Sequence, residues 1–191
     1  MIISRIRGGL GNQLFMYAAG RLVQKRIGGA YKLDISWFSC WRHRNSKHVH
    51  RDFGLDIFEI SAGIATNAEI WKFTVPMCYP NFIRGILRKL RRNKNFYEEN
   101  ECGWQILNEI RGDCFLKGYW VQPEILEEIH DELRRELVIR SECLDWSEIE
   151  HWYKKIIAEP DAVCVHFRRG DFVGTSLGVL PDDYYANALS Q

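Results

Sequence analysis

Residues 1–35 read MIISRIRGGLGNQLFMYAAGRLVQKRIGGAYKLDI, and this stretch decides the fold. Met1 to Ile6 is a short β-prone run, broken by Gly8, Gly9 and Gly11. From Asn12 the apolar residues Leu14, Phe15, Ala18, Leu22 and Val23 recur at helical spacing, with Arg21, Gln24, Lys25 and Arg26 polar. Gly28 and Gly29 close that helix, because glycine takes a left-handed cap without steric penalty. Ala30 to Ile35 is the next strand. Strand, helix and strand in immediate succession form a βαβ unit, which predicts an α/β fold on a parallel sheet.

Outward from this unit the signals are more scattered. Residues 37–53 mix Trp, His and Arg densely and read as a loop. FLKGYWV at 115–121 reads as a strand. Pro123 then opens a helix where its missing N–H is harmless, and Ile125, Ile129, Leu133 and Leu137 give that helix an apolar stripe. Asp145-Trp-Ser-Glu148 is a capping-box pattern that opens another helix, through Ile149, Trp152, Tyr153 and Ile156. AVCVHF at 162–167 reads as a strongly β-like strand, followed by a polar loop and a helix from Pro181 to Leu189.

The 191 residues carry 26 Lys+Arg against 25 Asp+Glu, so no global charge draws the chain to nucleic acid. Apolar residues at 46% exclude a disordered chain. No run of about 18 apolar residues is present, so no transmembrane helix is expected. The opening residues lack the apolar stretch and cleavage site of a signal peptide. The expected location is therefore the cytoplasm, with peripheral contact to a membrane. Six cysteines lie scattered without a Cys-x-x-Cys pair, and read as reduced, mostly packed thiols.

Two loops carry the candidate chemistry. Gly8-Gly9-Leu10-Gly11-Asn12-Gln13 sits between a strand and a helix, where glycines admit a ligand to the backbone and helix amides attract phosphate. The spacing is neither Gly-x-Gly-x-x-Gly nor a nucleoside-triphosphate loop, and a tight strand–helix turn would use the same glycines. Val165-His166-Phe167-Arg168-Arg169-Gly170-Asp171-Phe172 follows the second β-like run. Adjacent guanidiniums there repel unless an anion or carboxylate joins them, and arginine suits bidentate phosphate binding. A structural ion-pair corner is the competing reading, with Asp171 as a partner. Residues 83–95 are basic and free of acids, with Ile83, Ile86, Leu87 and Leu90 at helical spacing. Such a helix suits an anionic membrane surface, and equally a solvated face. His43, His48 and His50 lie among arginines, which disfavour a metal there. No Asp-x-Asp occurs, and metal-bridged nucleotide-sugar chemistry often uses such a pair, so a metal-free mechanism is favoured if the chain serves a sugar transferase.

With both loops in view, the chain resembles the α-1,2-fucosyltransferases of glycosyltransferase family 11. GGLGNQLFMYAAGR at 8–21 resembles that family's opening signature. LDISWF at 33–38, RDFGLDIFEI at 51–60 and LKGYWVQPEIL at 116–126 resemble its next blocks, in order. VHFRRGDFV at 165–173 resembles its His-x-Arg-Arg-x-Asp-Tyr motif, with Phe172 in place of the tyrosine, and LPDDYYANAL at 180–189 the block beyond.

The resemblance implies a GT-B-like fold of two Rossmann-like domains. It implies inverting, metal-independent transfer of L-fucose from GDP-fucose to the 2-hydroxyl of a galactose-terminated glycan, with no cofactor, in surface polysaccharide or glycan synthesis. Carried over by position, Arg168 is the catalytic arginine that holds the donor diphosphate. His166, Arg169 and Asp171 complete that motif, and Gly9, Gly11 and Asn12 are the loop that closes on the same phosphates. Family members continue well past this point. Residues 1–160 are therefore expected to form the acceptor-side domain, and 161–191 only the first strand–loop–helix of the donor domain. A truncated, non-catalytic relative that binds acceptor glycan or a partner protein is the alternative.

Overall fold

A computed structural model describes residues 1–40, 51–77, 79–90, 95–167, 169–170, 173 and 178–190; for residues 81 and 88–90 it describes the backbone. The chain divides into two compact units, Met1–Cys143 and Leu144–Gln191.

The first unit is built as the opening residues predict. β1 (Ile2–Arg5) leads into α1 (Leu10–Ile27) and then β2 (Tyr31–Asp34), which pairs parallel with β1. Gly28, at φ 72°, ends α1, and its N–H bonds the Gln24 carbonyl. After a short α2 (Ser36–Ser39) come β3 (Gly63–Ile64), α3 (Asn67–Trp71) and α4 (Asn81–Leu90). β4 (Phe96–Glu98), α5 (Glu99–Cys102) and β5 (Cys114–Lys117) follow. The sheet is five-stranded and parallel throughout, in the order β3-β2-β1-β5-β4.

Both faces of the central strands are covered, so β1 and β5 are apolar at successive positions rather than at alternate ones. Ile2, Cys114 and Leu116 join Met16, Tyr17, Leu22 and Val23 of α1 in the larger core. Ile3 and Phe115 point the other way, against Ile70 and Phe73. Burial pushes the Cys114 thiol up to about 12. The expectation of mostly packed thiols does not hold: Cys40 and Cys114 are buried, whereas Cys102, Cys143 and Cys164 are exposed.

Gly20 marks the closest approach of α1 to the sheet. A β-carbon there would lie 2.3 Å from ring atoms of Tyr31, whose hydroxyl donates to the Tyr17 carbonyl at 3.0 Å. Gly20→Ala is expected to lower stability by about 1–3 kcal/mol through overpacking, although alanine is about 1 kcal/mol better inside a helix. Urea unfolding of the variant, alone and combined with Tyr31→Leu, checks this. A Gly20→Ala protein as stable as wild type would contradict it.

The expected single helix after Pro123 is instead two, α6 (Pro123–Glu128) and α7 (His130–Glu136), parted by non-helical Ile129. Ile125, Ile129 and Leu133 all stay buried, so two short helices satisfy the packing that the stripe demanded. Ion pairs fasten them to α1. Glu136 accepts from Arg21 at 2.5 Å and from the Tyr17 hydroxyl, and Glu128 accepts from Arg26 at 2.5 Å.

Thr66 and Glu69 form a capping box on α3. The Glu69 N–H donates to Thr66 Oγ1 at 3.3 Å, and the Thr66 N–H donates to Glu69 Oε2 at 2.9 Å. The Lys32 ammonium lies 2.5 Å from Glu69 Oε1. That ammonium first, and the Thr66 amide second, hold the carboxyl at about 2 instead of 4.5. A depressed carboxyl stabilises the fold above its unfolded value and loses that contribution as pH falls. The stability gap between wild type and Glu69→Gln is therefore expected to close as pH drops from about 4.5 toward 2. Acid titrations of both proteins followed by circular dichroism test this, and a gap independent of pH would contradict it.

The second unit holds α8 (Trp146–Ala158) and α9 (Asp182–Leu189). Asp145 caps α8, accepting from the Ser147 and Glu148 amides. These helices match expectation, but the strand expected at 162–167 does not form. β-propensity marks where a strand can form, whereas a strand exists only through hydrogen bonds to a neighbour. No strand lies beside these residues among the described ones. The basic segment is helical over Asn81–Leu90, with Phe82 and Ile86 exposed. His43, His48, His50, Arg91, Arg92 and Lys94 lie outside the described residues. Among the described residues no helix is long and apolar enough to cross a membrane.

Candidate functional site at the carboxyl ends of the central strands

In open α/β sheets ligands bind beyond the carboxyl ends of the strands. β1 and β5 are neighbours here, so their following loops, 6–9 and 118–122, lie side by side.

The loop after β1 needs its glycines. Gly8 has φ +76°, a conformation that L side chains rarely adopt, and Gly9 is the extended N-cap of α1. No side chain caps α1, and its first turn contains no acid, so the positive end of the helix dipole is not offset by its own residues. Gln13 fixes the loop from behind. Its amide nitrogen donates to the carbonyls of Gly8 and Asp52, both at 2.9 Å, and its oxygen accepts from the Gly54 N–H at 3.0 Å. The segment 51–54 is thereby held against the glycine loop, with the Arg51 guanidinium carbon 4.0 Å from a β-carbon placed on Gly9.

The loop after β5 is fixed as firmly. One carboxylate oxygen of Glu99 accepts from the Tyr119 N–H at 2.7 Å and the other from the Trp120 N–H at 3.0 Å. A β-carbon on Gly118 would sit 2.4 Å from that of Glu99, so only glycine fits. Trp120 is buried at φ 54°, the one described residue besides glycine with a positive φ.

Arg7 links the two loops, and Arg5 links the strands beneath them. The Arg7 guanidinium lies 4.4 Å from the centre of the Tyr119 ring. Arg5 lies over Phe115 at 5.0 Å and donates through Nε to Asp34 Oδ2 at 2.9 Å. Both members of that ion pair are buried, and Arg5 Nη2 has no hydrogen-bond partner among the described residues.

Of the residues singled out from sequence, Gly9 and Asn12 belong to this crest; Asn12 Nδ2 would be 3.2 Å from a β-carbon on Gly8. Gly11 lines an apolar groove of about 620 Å³ with Leu14, Phe15, Leu126 and Leu133. His166 and Arg169 belong to the second unit, both exposed. Arg169 pairs with Asp182, and Phe167 packs on Tyr185 with ring centres 4.3 Å apart. Arg168 and Asp171 lie outside the described residues. Among the described residues no three His, Cys, Asp or Glu side chains gather as a metal-holding group. Sequence reasoning passed over Arg7, Glu99 and Tyr119. Gln13 stood in the quoted motif without a role, although a buried amide directly behind a glycine turn is the residue to clamp it.

Comparison with known proteins assigns a broad class. Over 208 residues the chain is 30% identical to the O-antigen biosynthesis glycosyltransferase WbnK of Escherichia coli, covering 97% of this chain and 66% of that protein. The chain is related to glycosyltransferases. Over 199 residues it is 26% identical to an alpha-1,2-colitosyltransferase of Escherichia coli, covering 99% of this chain and 63% of that protein. It thus spans just under two thirds of the length of these glycosyltransferase relatives. No protein-family model and no solved structure matches the chain. The glycine loop, Gln13 and the 118–120 turn consequently belong to a glycosyltransferase-like chain with a parallel α/β sheet.

Proposed function

We propose that the chain belongs to a family 11 α-1,2-fucosyltransferase, transferring L-fucose from GDP-fucose to the 2-hydroxyl of a galactose-terminated glycan with inversion and without a metal. The observation that carries this reading is the similarity, along nearly the whole chain, to an alpha-1,2-colitosyltransferase, because colitose is a fucose-like sugar. In this reading residues 1–160 serve the acceptor side, and 161–191 open the donor side.

The chemistry asks little of the protein beyond placement and charge. The acceptor hydroxyl attacks the anomeric carbon of fucose and gives up its proton to water, the bond to the diphosphate breaks, and negative charge grows on the departing GDP. In this reading Arg168, in the motif it shares with His166, Arg169 and Asp171, stabilises that charge more in the transition state than in the ground state. In the same reading Gly9, Gly11 and Asn12 are the loop that opens the α1 amides to phosphate.

Calorimetric titration of the 191-residue chain with GDP, using UDP as control, followed by a transfer assay with GDP-fucose and methyl β-D-galactopyranoside, tests the reading. Selective GDP binding and a product linked at the 2-hydroxyl are expected. Preference for UDP, or fucose attached at another position, would overturn it.

A further inference from the structure

The helix α4 carries apolar residues on its outer side. Phe82 is 70% exposed and Ile86 58%, and their four-residue spacing puts both on one face. Ile83 and Leu87, one strip further round, are half-buried. The start of the helix is fastened to the chain before it. The Trp71 and Tyr79 ring centres lie 5.3 Å apart, and the Arg84 N–H donates to the Pro80 carbonyl at 3.0 Å. A helix with a merely solvated face turns its large apolar side chains inward and its polar ones out. Here part of Ile83 and Leu87 is covered, while Phe82 and Ile86 stand in solvent.

Charge gathers on the same segment. Residues 84–94 contain Arg84, Arg88, Lys89, Arg91, Arg92 and Lys94 and no acid. The whole chain carries 26 Lys+Arg against 25 Asp+Glu, so the remainder is net acidic. The positive field is therefore local to this helix and the residues just after it. An apolar edge within a dense cationic stretch matches anionic headgroups laid over hydrocarbon. A nucleic acid would meet the cations and stack a base on Phe82, but isoleucine has no flat face to stack. A bilayer takes both side chains.

We propose that α4 docks this chain on an anionic phospholipid bilayer, with Phe82 and Ile86 in the boundary between headgroups and acyl chains and the cations of 84–94 near lipid phosphates. Ten residues of helix span about 15 Å, half of a hydrocarbon core, so α4 lies along the surface and does not cross it. The Debye length at physiological salt is about 8 Å, so cations on either flank of a helix about 10 Å wide feel the surface. Docking of this kind is independent of the proposed transfer reaction.

Flotation of the 191-residue chain with vesicles of mixed phosphatidylcholine and phosphatidylglycerol, against phosphatidylcholine alone, tests this. Binding is expected to the anionic vesicles, and to fall steeply as salt is raised. Phe82→Ser with Ile86→Ser changes two exposed side chains and is expected to weaken binding about tenfold or more. Arg88→Gln with Lys89→Gln is expected to weaken it about twentyfold, or roughly fivefold per cation. Gly85→Lys supplies a gain that no folding defect imitates. Gly85 is exposed, a β-carbon there meets nothing within 4 Å, and the added cation is expected to tighten binding about fivefold. Equal binding to neutral and anionic vesicles overturns the proposal. So does equal binding by wild type and the variant altered at both Phe82 and Ile86. Single-stranded RNA held more tightly than anionic vesicles would overturn it in favour of nucleic acid.

Discussion

Replacing Asp34 by alanine is expected to cost about 3–5 kcal/mol of stability, a large part of what a domain has. Asp34 is fully buried. Its Oδ2 accepts from Arg5 Nε at 2.9 Å, and its Oδ1 accepts from the Ser36 N–H at 3.0 Å and the Ser36 hydroxyl at 2.5 Å. Without the carboxylate, Arg5 remains a buried cation against Phe115, with Nη2 already lacking a hydrogen-bond partner among the described residues. The cost comes from that stranded charge, not from the worth of the bond, so removing both charges is expected to cost less than removing one. Denaturant unfolding of Asp34→Ala, Arg5→Met and the combination Asp34→Leu with Arg5→Met tests the point. A loss below about 1 kcal/mol in Asp34→Ala would show that the pair is not a buried charge pair in solution.

The largest effect on rate is expected at Arg168. Under the proposed reaction, Arg168→Ala removes a fixed positive charge from the developing negative charge of the leaving diphosphate. Lost oxyanion donors cost about 3 kcal/mol of barrier, which corresponds to roughly a hundredfold or more in turnover. Arg168→Lys keeps the charge but not the planar, two-pronged donor geometry, and is expected to fall between. Turnover measured at saturating donor separates this loss from weaker binding. A rate within a few-fold of wild type in Arg168→Ala would exclude the assigned role.

The β1–α1–β2 unit was legible because three signals agree there: the apolar spacing of Leu14, Ala18 and Leu22, the glycines at 28 and 29, and β-prone flanks. The Asp145 cap was legible because its reach is local. β3 and β4 were not, being two and three residues long without a periodic run. The run at 162–167 misled because propensity does not supply a neighbouring strand. In the crest, Gly9 and Asn12 stood out through glycine spacing. Arg7 and Tyr119 did not, because strand pairing brings them together from opposite ends of the unit. Glu99 read as one acid among many until the backbone amides it serves were in place.

The strand order also sets a timetable for synthesis on the ribosome. β1 leaves the exit tunnel first and finds β2 soon afterwards, but its other edge belongs to β5, which is translated much later. Meanwhile Ile2 and Ile3 line an open edge that any other unfinished chain can join. Contacts between segments so distant in sequence form slowly, and unpaired edges are where half-made proteins aggregate. Slower translation upstream of β5 would lengthen that exposure, so the yield of folded protein should depend on codon choice and chaperone supply before residue 114.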